Sequence, residues 1–218
     1  MSAAGVKRGT VTRAEKQART RAALLESASR TASRHGLEGA SIDRIAAGAG
    51  YTKGAFYANF QSKEELFLAM LDARFEQELE RLDRILSGEG APDEQARRAS
   101  VEAIRRAGGD PEWHRLYFEF VAYAARHEDF RRELAARHRA LRERLAEIFD
   151  RWAAEFPAEP PLPMPAIAAM TDFMFDGFMV DKLIDPELDE ELYATLVAVF
   201  FRGLQAIATD SQTDVEPR

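Results

Sequence analysis

Four polar residues that closely follow Gly50 have side chains suited to binding a nucleic acid. They are Thr52, Lys53, Tyr57 and Asn59. Ammonium, hydroxyl and amide groups bind phosphate oxygens and the edges of bases. The glycine among them, at position 54, has no side chain to hold its helix away from a sugar–phosphate backbone. The pattern therefore predicts that Thr52, Lys53, Gly54, Tyr57 and Asn59 contact DNA.

Two short helices are predicted to position these residues. The first carries an apolar stripe, which consists of Ile42, Ile45, Ala46 and Ala49. Gly50 supplies a tight turn, and Thr52 caps a second helix that turns Phe56 and Phe60 inward and leaves the four polar side chains facing outward. Two short helices joined by a glycine turn form a helix-turn-helix, whose second helix fits a major groove. The alternative is a helical pair that only packs, with its lysines in solvent.

Charge is distributed unevenly along the chain. The net charge of the 218 residues is −7, yet residues 1–63 contain eleven lysines and arginines against four acidic residues. The net charge is therefore +7 in this region and −14 in the remainder. A basic region attracts phosphates even when the total charge is negative. A basic arm with Lys7, Arg8 and Arg13 is expected either to enter a minor groove or to be a disordered tail.

The chain is predicted to be all-α. Glycines and prolines separate segments whose apolar residues recur at spacings of three and four, and no run has the character of a strand. The pattern predicts about nine helices, near residues 14–35, 42–48, 52–59, 63–87, 93–107, 111–126, 128–156, 164–183 and 188–208. Capping signals at four helix starts are Thr12 with Glu15, Ser62 with Glu65, Asp110 before Pro111, and Asp185 before Pro186.

Residues 36–66 resemble the DNA-binding domain of TetR-family transcriptional regulators. The resemblance rests on Gly-Ala-Ser-Ile-Asp-Arg-Ile-Ala, Ala-Gly-Tyr-Thr-Lys-Gly-Ala-Phe-Tyr-Ala-Asn-Phe and Ser-Lys-Glu-Glu-Leu. Together with the preceding helix, the specific pattern covers about residues 15–70. It implies a three-helix DNA-binding domain containing the helix-turn-helix.

The resemblance also implies roles for individual residues. The positions that commonly clamp phosphates would be Lys53, Tyr57 and Lys63. Ser41 and Arg44 would lie at or near the DNA backbone, and Thr52 would start the recognition helix. The chain departs from the family pattern at Tyr51, where a small aliphatic residue is usual, and at Asn59, where histidine is common. Base preference is therefore not inherited from relatives.

Four regions are expected: a flexible basic arm (1–13), the helix-turn-helix domain (14–62), a helical ligand-binding and dimerisation domain (63–209) and a flexible tail (210–218). The long helix over residues 63–87 begins in the basic region and ends in the acidic one. In TetR-like proteins the corresponding helix transmits ligand-induced shifts to the recognition helices, and the resemblance implies the same here.

Aromatic and methionine side chains in the acidic region suit a pocket for a small, largely apolar molecule. The candidate pocket residues are Phe67, Met70, Trp113, Tyr117, Phe120, Met170 and Phe173. For any one of them, ordinary core packing is the alternative. Asp172, Asp176 and Asp181 lie on one apolar helix and could bind a cation or a basic ligand group, or could instead cap helices, form ion pairs or face solvent.

The last two helices are apolar around nearly their whole circumference, so they must be covered on all sides. Two such helices from each of two subunits would form a four-helix interface, with Gly177 and Gly203 permitting close approach. The alternative is burial within a larger monomer core. A homodimer also suits a helix-turn-helix protein, because two half-sites then lie one helical turn apart.

Several chemistries are excluded or disfavoured. The chain has no cysteine, its four histidines are scattered, and no assembled catalytic motif occurs, so no enzyme, cofactor or metal site is expected. No apolar h-region or stretch approaching about 18 residues was found, which favours a soluble, cytoplasmic protein. The favoured function is a homodimeric repressor that binds a palindromic operator and releases it when an effector binds. The alternatives are a DNA-binding homodimer controlled by a protein partner or by nothing, and a small all-α enzyme.

Overall fold

The computed structural model describes residues 12–155 and 159–213. Within these residues the chain forms nine helices and no strand, which confirms the all-α prediction. The helices are α1 (Arg13–Gly39), α2 (Ile42–Gly48), α3 (Lys53–Tyr57), α4 (Lys63–Leu86), α5 (Pro92–Gly108), α6 (Pro111–Ala124), α7 (Glu128–Ala153), α8 (Met164–Ile184) and α9 (Glu191–Thr213). Lys7 and Arg8 of the predicted arm lie outside the described residues, as do residues 214–218 of the predicted tail.

Three capping signals act as predicted. The Thr12 hydroxyl accepts a hydrogen bond from the Glu15 amide at 3.2 Å, and the Glu15 carboxylate accepts one from the Thr12 amide at 2.6 Å. These bonds hold the pKa of Glu15 below its ordinary value. Asp110 accepts from the Trp113 amide at 3.1 Å, and Ser62 accepts from the Glu65 amide at 3.1 Å.

The fourth capping signal was misassigned. Asp185 ends α8, and its carboxylate accepts a hydrogen bond from the Glu187 amide at 3.1 Å, so it forms a local turn. The helix α9 begins at Glu191, whose amide donates to the Asp189 carboxylate at 3.0 Å. An aspartate before a proline suits a turn as well as a helix start, which is why the sequence favoured the wrong position.

The chain divides into two compact units after Met70, within α4. The first unit contains α1, α2, α3 and the first two turns of α4. Its core residues, each at most 1% exposed, include Leu24, Ala28, Ile45, Phe56, Phe60 and Leu66. This confirms that Phe56 and Phe60 turn inward. Gly36, with φ of 68°, interrupts α1 near its end, where the sequence predicted the helix to stop.

A close contact between α1 and α2 makes Gly48 sensitive to substitution. The buried Ser27 hydroxyl donates to the Ile45 carbonyl at 2.7 Å, and a Cβ at position 48 would lie 2.5 Å from that hydroxyl oxygen. We expect Gly48→Ala to destabilise the protein by about 1–3 kcal/mol, because Ser27 must move and its hydrogen bond must weaken. Urea unfolding monitored by circular dichroism measures this change.

Gly54→Ala is the matched control for Gly48→Ala. A Cβ at position 54 meets no atom closer than 3.7 Å, and alanine favours a helix over glycine. Stability should therefore remain equal or rise by up to about 1 kcal/mol. Equal destabilisation by both substitutions would contradict the specific contact at Gly48.

The second unit contains the rest of α4 together with α5 to α9. One apolar cluster includes Phe149 and Trp152 of α7, and a second includes Phe178 of α8 and Tyr193 of α9. The buried Gln95 of α5 accepts a hydrogen bond from the Trp152 indole at 2.8 Å and donates one to the Gly88 carbonyl at 2.7 Å. This bridge fixes α5 against α7 beside the cavity described below.

Candidate DNA-binding surface and internal cavity

The short helix α3 presents three of the predicted contact residues to solvent. The Thr52 hydroxyl accepts a hydrogen bond from the Ala55 amide at 3.2 Å and starts the helix, after a turn in which Gly50 has φ of 74°. Lys53 and Gly54 are exposed, and Tyr57 is 51% exposed although it is aromatic. Because Phe56 anchors the opposite face, α3 can enter a groove without exposing its core.

Lys53 has a weak partner in the free protein. Its ammonium lies 3.2 Å from the Asp43 carboxylate, and both side chains are more than half exposed. An exposed ion pair of this kind contributes little stability. Lys53 can therefore exchange Asp43 for a phosphate at little cost.

Ser41 and Arg44 lie at the start of α2. The Ser41 hydroxyl accepts from the Arg44 amide at 3.3 Å, and the Arg44 guanidinium donates to the Gly39 carbonyl at 2.9 Å. Both residues are exposed. Arg44 also lines a shallow basic groove together with Arg30 and Arg34 of α1. These two α1 arginines were not among the predicted DNA contacts, because only the fold brings them beside Arg44.

Asn59 and Lys63 are placed differently from the other predicted contacts. Asn59 was expected to face outward, but it is half-buried and its side-chain amide donates back to the Ala55 carbonyl at 2.8 Å. Lys63 is also half-buried, and its ammonium donates to the Leu37 carbonyl at 3.1 Å. In this structure, therefore, both side chains bind the backbone of their own unit. Their contact with DNA stays a prediction.

The second unit contains a partly open cavity of about 230 Å³, lined by residues of α4 to α9. Its wall is mainly apolar, with contributions from Phe75, Leu82, Leu145 and Phe201. Two of the seven predicted pocket residues, Trp113 and Tyr117, line it. Most of the wall comes from residues that sequence periodicity assigns to core, because a cavity depends on how several helices meet.

The other five predicted pocket residues do not line this cavity. Phe67 and Met70 are buried within the first unit. Phe120 is buried against Trp113 and Phe130, with ring centroids 6.4 Å and 6.2 Å away. Two residues of α8, Met170 and Phe173, are 42% and 63% exposed. Three of these five residues are therefore buried in packing contacts, and two are exposed on the surface.

A polar cluster interrupts the apolar wall of the cavity. The Tyr117 hydroxyl donates to the Asp176 carboxylate at 3.1 Å and lies 3.2 Å from Nε2 of His138. Asp172, one turn before Asp176, lies 3.4 Å from the guanidinium of Arg142. Burial and the charge of Asp172 raise the pKa of Asp176 to about 6, and burial lowers the pKa of His138. The cluster therefore combines two carboxylates whose pKa values are raised with an imidazole whose pKa is lowered.

A second group of charged cavity residues is internally paired. Glu78 lies 2.8 Å from Arg106 and 3.1 Å from Arg74, and Arg74 also lies 3.2 Å from Asp110. The hydrogen bond to Glu78 raises the pKa of Arg106. These pairs hold α4 against the start of α6, where Trp113 enters the wall.

Exposed apolar stripes run along the last two helices. We call them the α8 stripe (Met170, Phe173, Val180, Ile184) and the α9 stripe (Leu192, Leu196, Val199, Ile207). Gly177 and Gly203 lie within these stripes, and a Cβ on either would meet nothing within 4 Å. Contrary to the sequence expectation, one helical segment, Glu191–Asp210, is long and apolar enough to cross a membrane, although only 22% of its apolar window is buried in the single chain. Large apolar side chains exposed in a row are typical of an interaction surface.

Both units match known protein families. Residues 24–70 match the family described as bacterial regulatory proteins, tetR family, and residues 92–206 match the C-terminal domain of BetI-type transcriptional repressors. The chain belongs to the TetR family. It is therefore a DNA-binding transcriptional regulator and not an enzyme.

Relatives of this TetR-family chain include the HTH-type transcriptional repressor AcnR of Corynebacterium efficiens, which is 27% identical over 78% of the chain and 85% of the relative. A transcriptional regulator from Rhodococcus shares the fold, with a TM-score of 0.69 and 22% identity over 90% of this chain and 99% of that one. So does FadR of Bacillus subtilis, solved in complex with stearoyl-CoA, with a TM-score of 0.66 and 15% identity over 81% of this chain and 95% of that one.

Proposed function

We propose that this TetR-family regulator is a homodimeric, cytoplasmic repressor that binds a palindromic operator and releases it when a small, largely apolar molecule enters the cavity. The observation that carries the proposal is the cavity of about 230 Å³ in a chain whose other unit presents α3 to solvent. A mainly apolar cavity with a few polar groups has the character of a small-molecule site.

Two similar proteins support two parts of the proposal. AcnR is a transcriptional repressor, which supports repression as the output. FadR of Bacillus subtilis binds stearoyl-CoA, which supports a small-molecule effector in a protein of this fold. The identity of the effector does not follow from FadR, because the residues of a cavity determine which molecule it accepts.

The stripes on α8 and α9 support the dimer. Exposed large apolar side chains on two neighbouring helices need a cover, and a second copy of the chain supplies the same stripes by twofold symmetry. A dimer would present two α3 helices to two half-sites of an inverted repeat. Thr52, Lys53, Gly54 and Tyr57 would contact DNA from α3, and Ser41 and Arg44 from α2.

Release requires that the effector bind the DNA-incompetent conformation more tightly than the competent one. The helix α4 is continuous across the division between the units, and its second part lines the cavity with Arg74, Phe75 and Leu82. A shift of α4 on ligand binding would therefore reach the first unit through one covalent helix.

Selection of bound duplexes from a random library tests this function. The enriched sequences should form an inverted repeat, with half-sites about one helical turn apart. Repeating the selection with candidate compounds should reveal one that abolishes enrichment. Enrichment that no compound changes would favour a regulator without a small-molecule effector, and no enrichment would contradict the proposal.

Lys53→Ala should weaken operator binding mainly through lost phosphate contact. We expect the slope of log affinity against log salt concentration to decrease by about one unit per half-site contact removed. Fluorescence anisotropy at several salt concentrations measures the slope. Arg115→Ala is the matched control, since it also removes one positive charge but lies on an exposed position of α6. An equal change of slope in both variants would contradict a phosphate contact by Lys53.

A further inference from the structure

The cavity wall carries two carboxylates on one face of α8. Asp172 and Asp176 are one helical turn apart, and both line the cavity. The side chain of Asp172 is only 12% exposed. A buried carboxylate is stable only when a cation or several hydrogen-bond donors compensate its charge. The groups that pair with Asp172 and Asp176 therefore indicate which kind of ligand the cavity can bind.

Within the described part of the chain, the two carboxylates share one cationic partner. The guanidinium of Arg142 lies 3.4 Å from Asp172, a long contact for an ion pair. Asp176 accepts a single neutral hydrogen bond, from Tyr117 at 3.1 Å. Since that hydroxyl gives its proton to Asp176, the nearby His138 must act as a neutral donor toward it. When both aspartates are ionised, one negative charge thus has no counter-charge in the cluster.

A largely buried tyrosine on another helix of the cavity wall provides an independent indication of a ligand. Tyr193 of α9 lines the cavity, is 4% exposed, and packs its ring against Phe175 and Phe178 at 5.9 Å and 5.3 Å. Among residues 12–155 and 159–213, its hydroxyl has no hydrogen-bond partner. Burial, together with the charges of Asp172 and Asp176, raises its pKa, so the phenol stays protonated. A hydroxyl on a cavity wall that bonds to none of the surrounding side chains is available to a ligand.

We propose that the effector is an amine with an apolar body, whose ammonium group binds between Asp172 and Asp176 and within reach of the Tyr193 hydroxyl. An ammonium has three donors and no acceptor, which suits two carboxylates and a phenol oxygen. The apolar body would pack against the remainder of the wall. The inference rests on the proposed function, because it takes the cavity as the effector site.

Two of the three arginines that line the cavity are already paired with an acidic residue. Arg74 and Arg106 are paired with Glu78, so they are not available to a carboxylate ligand. Arg81 lines the cavity without an ion pair among the described residues, and it is where an anionic ligand would bind. A metal ion is disfavoured, since the described part of the chain contains no group of three metal-binding side chains.

Calorimetry with three probes of one shape tests the proposal on the full-length protein. Phenylbutylamine, phenylbutanol and phenylbutyrate share an apolar body and differ in the charge of the terminal group. At neutral pH the amine should bind roughly ten-fold more tightly than the alcohol, and the acid should bind most weakly. Equal affinities of amine and alcohol, including no detectable binding of either, would overturn the proposal. Tightest binding of phenylbutyrate would also overturn it and point to Arg81.

Substitutions distinguish the contribution of the carboxylates to ligand affinity from that of apolar packing. Asp176→Asn keeps the shape and removes the charge, so it should abolish the roughly ten-fold preference for the amine while leaving the affinity for the alcohol unchanged. Tyr193→Phe, which keeps the buried ring, should reduce the preference partially. Asp181→Asn is the control, because Asp181 is exposed on the same helix. An unchanged preference in folded Asp176→Asn would overturn the proposal.

Operator release distinguishes this inference from the function on which it rests. Anisotropy of operator-bound protein should fall as phenylbutylamine is added. Tight binding of the amine at Asp176 without release would leave the ligand chemistry supported and contradict ligand-controlled repression. If only an uncharged compound released the operator, ligand-controlled repression would be supported and the proposal that the effector is an amine would be overturned.

Discussion

Phe173→Glu should convert the protein from a dimer to a monomer. Phe173 is 63% exposed in the single chain and lies in the α8 stripe. In the proposed interface it is covered by the partner, where an unpaired carboxylate costs several kcal/mol, and symmetry places two such charges in each dimer. Loss of the second half-site should then lower operator affinity by about a hundred-fold or more. Sedimentation equilibrium and anisotropy measure the two effects.

Gln205→Glu is the control for the dimer prediction. It adds the same charge at an exposed position of α9 that lies away from the α9 stripe. The variant should remain dimeric and retain its operator affinity. A dimer that persists in Phe173→Glu would show that the α8 stripe is not the interface, and a monomeric wild type would contradict the dimer itself.

Gln95→Ala should destabilise the protein by about 3 kcal/mol or more. Gln95 is 1% exposed, and its side chain joins the Trp152 indole to the Gly88 carbonyl. The substitution leaves the buried Trp152 indole without its acceptor and opens a cavity, and each of these two effects costs about 1–3 kcal/mol. Denaturant unfolding gives the change. Since Trp152 lines the cavity, ligand binding should weaken as well.

Gln77→Ala controls for the loss of an amide side chain. Gln77 is exposed on α4, so its truncation should change stability by no more than about 0.5 kcal/mol. If Gln95→Ala were as mild as this control, the hydrogen bonds of Gln95 would not hold α5 against α7.

The helices could be predicted largely from local chemistry. Thr12 with Glu15 and Asp110 before Pro111 carry their own hydrogen-bond partners within one turn, so their neighbours in sequence are sufficient to locate the helix starts. The start of α9 was misplaced because Asp185 and Asp189 both suit a local turn or cap. Only the packing of α8 and α9 decides between two such positions.

The DNA-binding surface was predictable where a buried residue fixed the helix face. Because Phe56 and Phe60 must be inside, Lys53 and Tyr57 must be outside, and the structure places them so. Asn59 was the exception. Its amide bonds to the backbone carbonyl four residues earlier, a competing local contact that helical periodicity does not reveal.

The cavity could be predicted only in part. Trp113 and Tyr117 were identified because an aromatic ring with a polar tip suits a pocket wall. Met170 and Phe173 share a helix with the cavity residue Asp176, but they lie on its other, exposed face. When a helix is apolar all round, its sequence does not show which face meets a cavity and which meets solvent or a partner.

The ratio of the affinities for a selected operator and for a scrambled duplex measures whether the protein recognises a DNA sequence. The purified protein should be measured at about 0.15 M salt, because electrostatic attraction alone binds any DNA at low salt. We expect the protein to bind the operator at least about a thousand-fold more tightly, with one dimer on each duplex. A ratio near one would contradict the claim that α3 reads a DNA sequence.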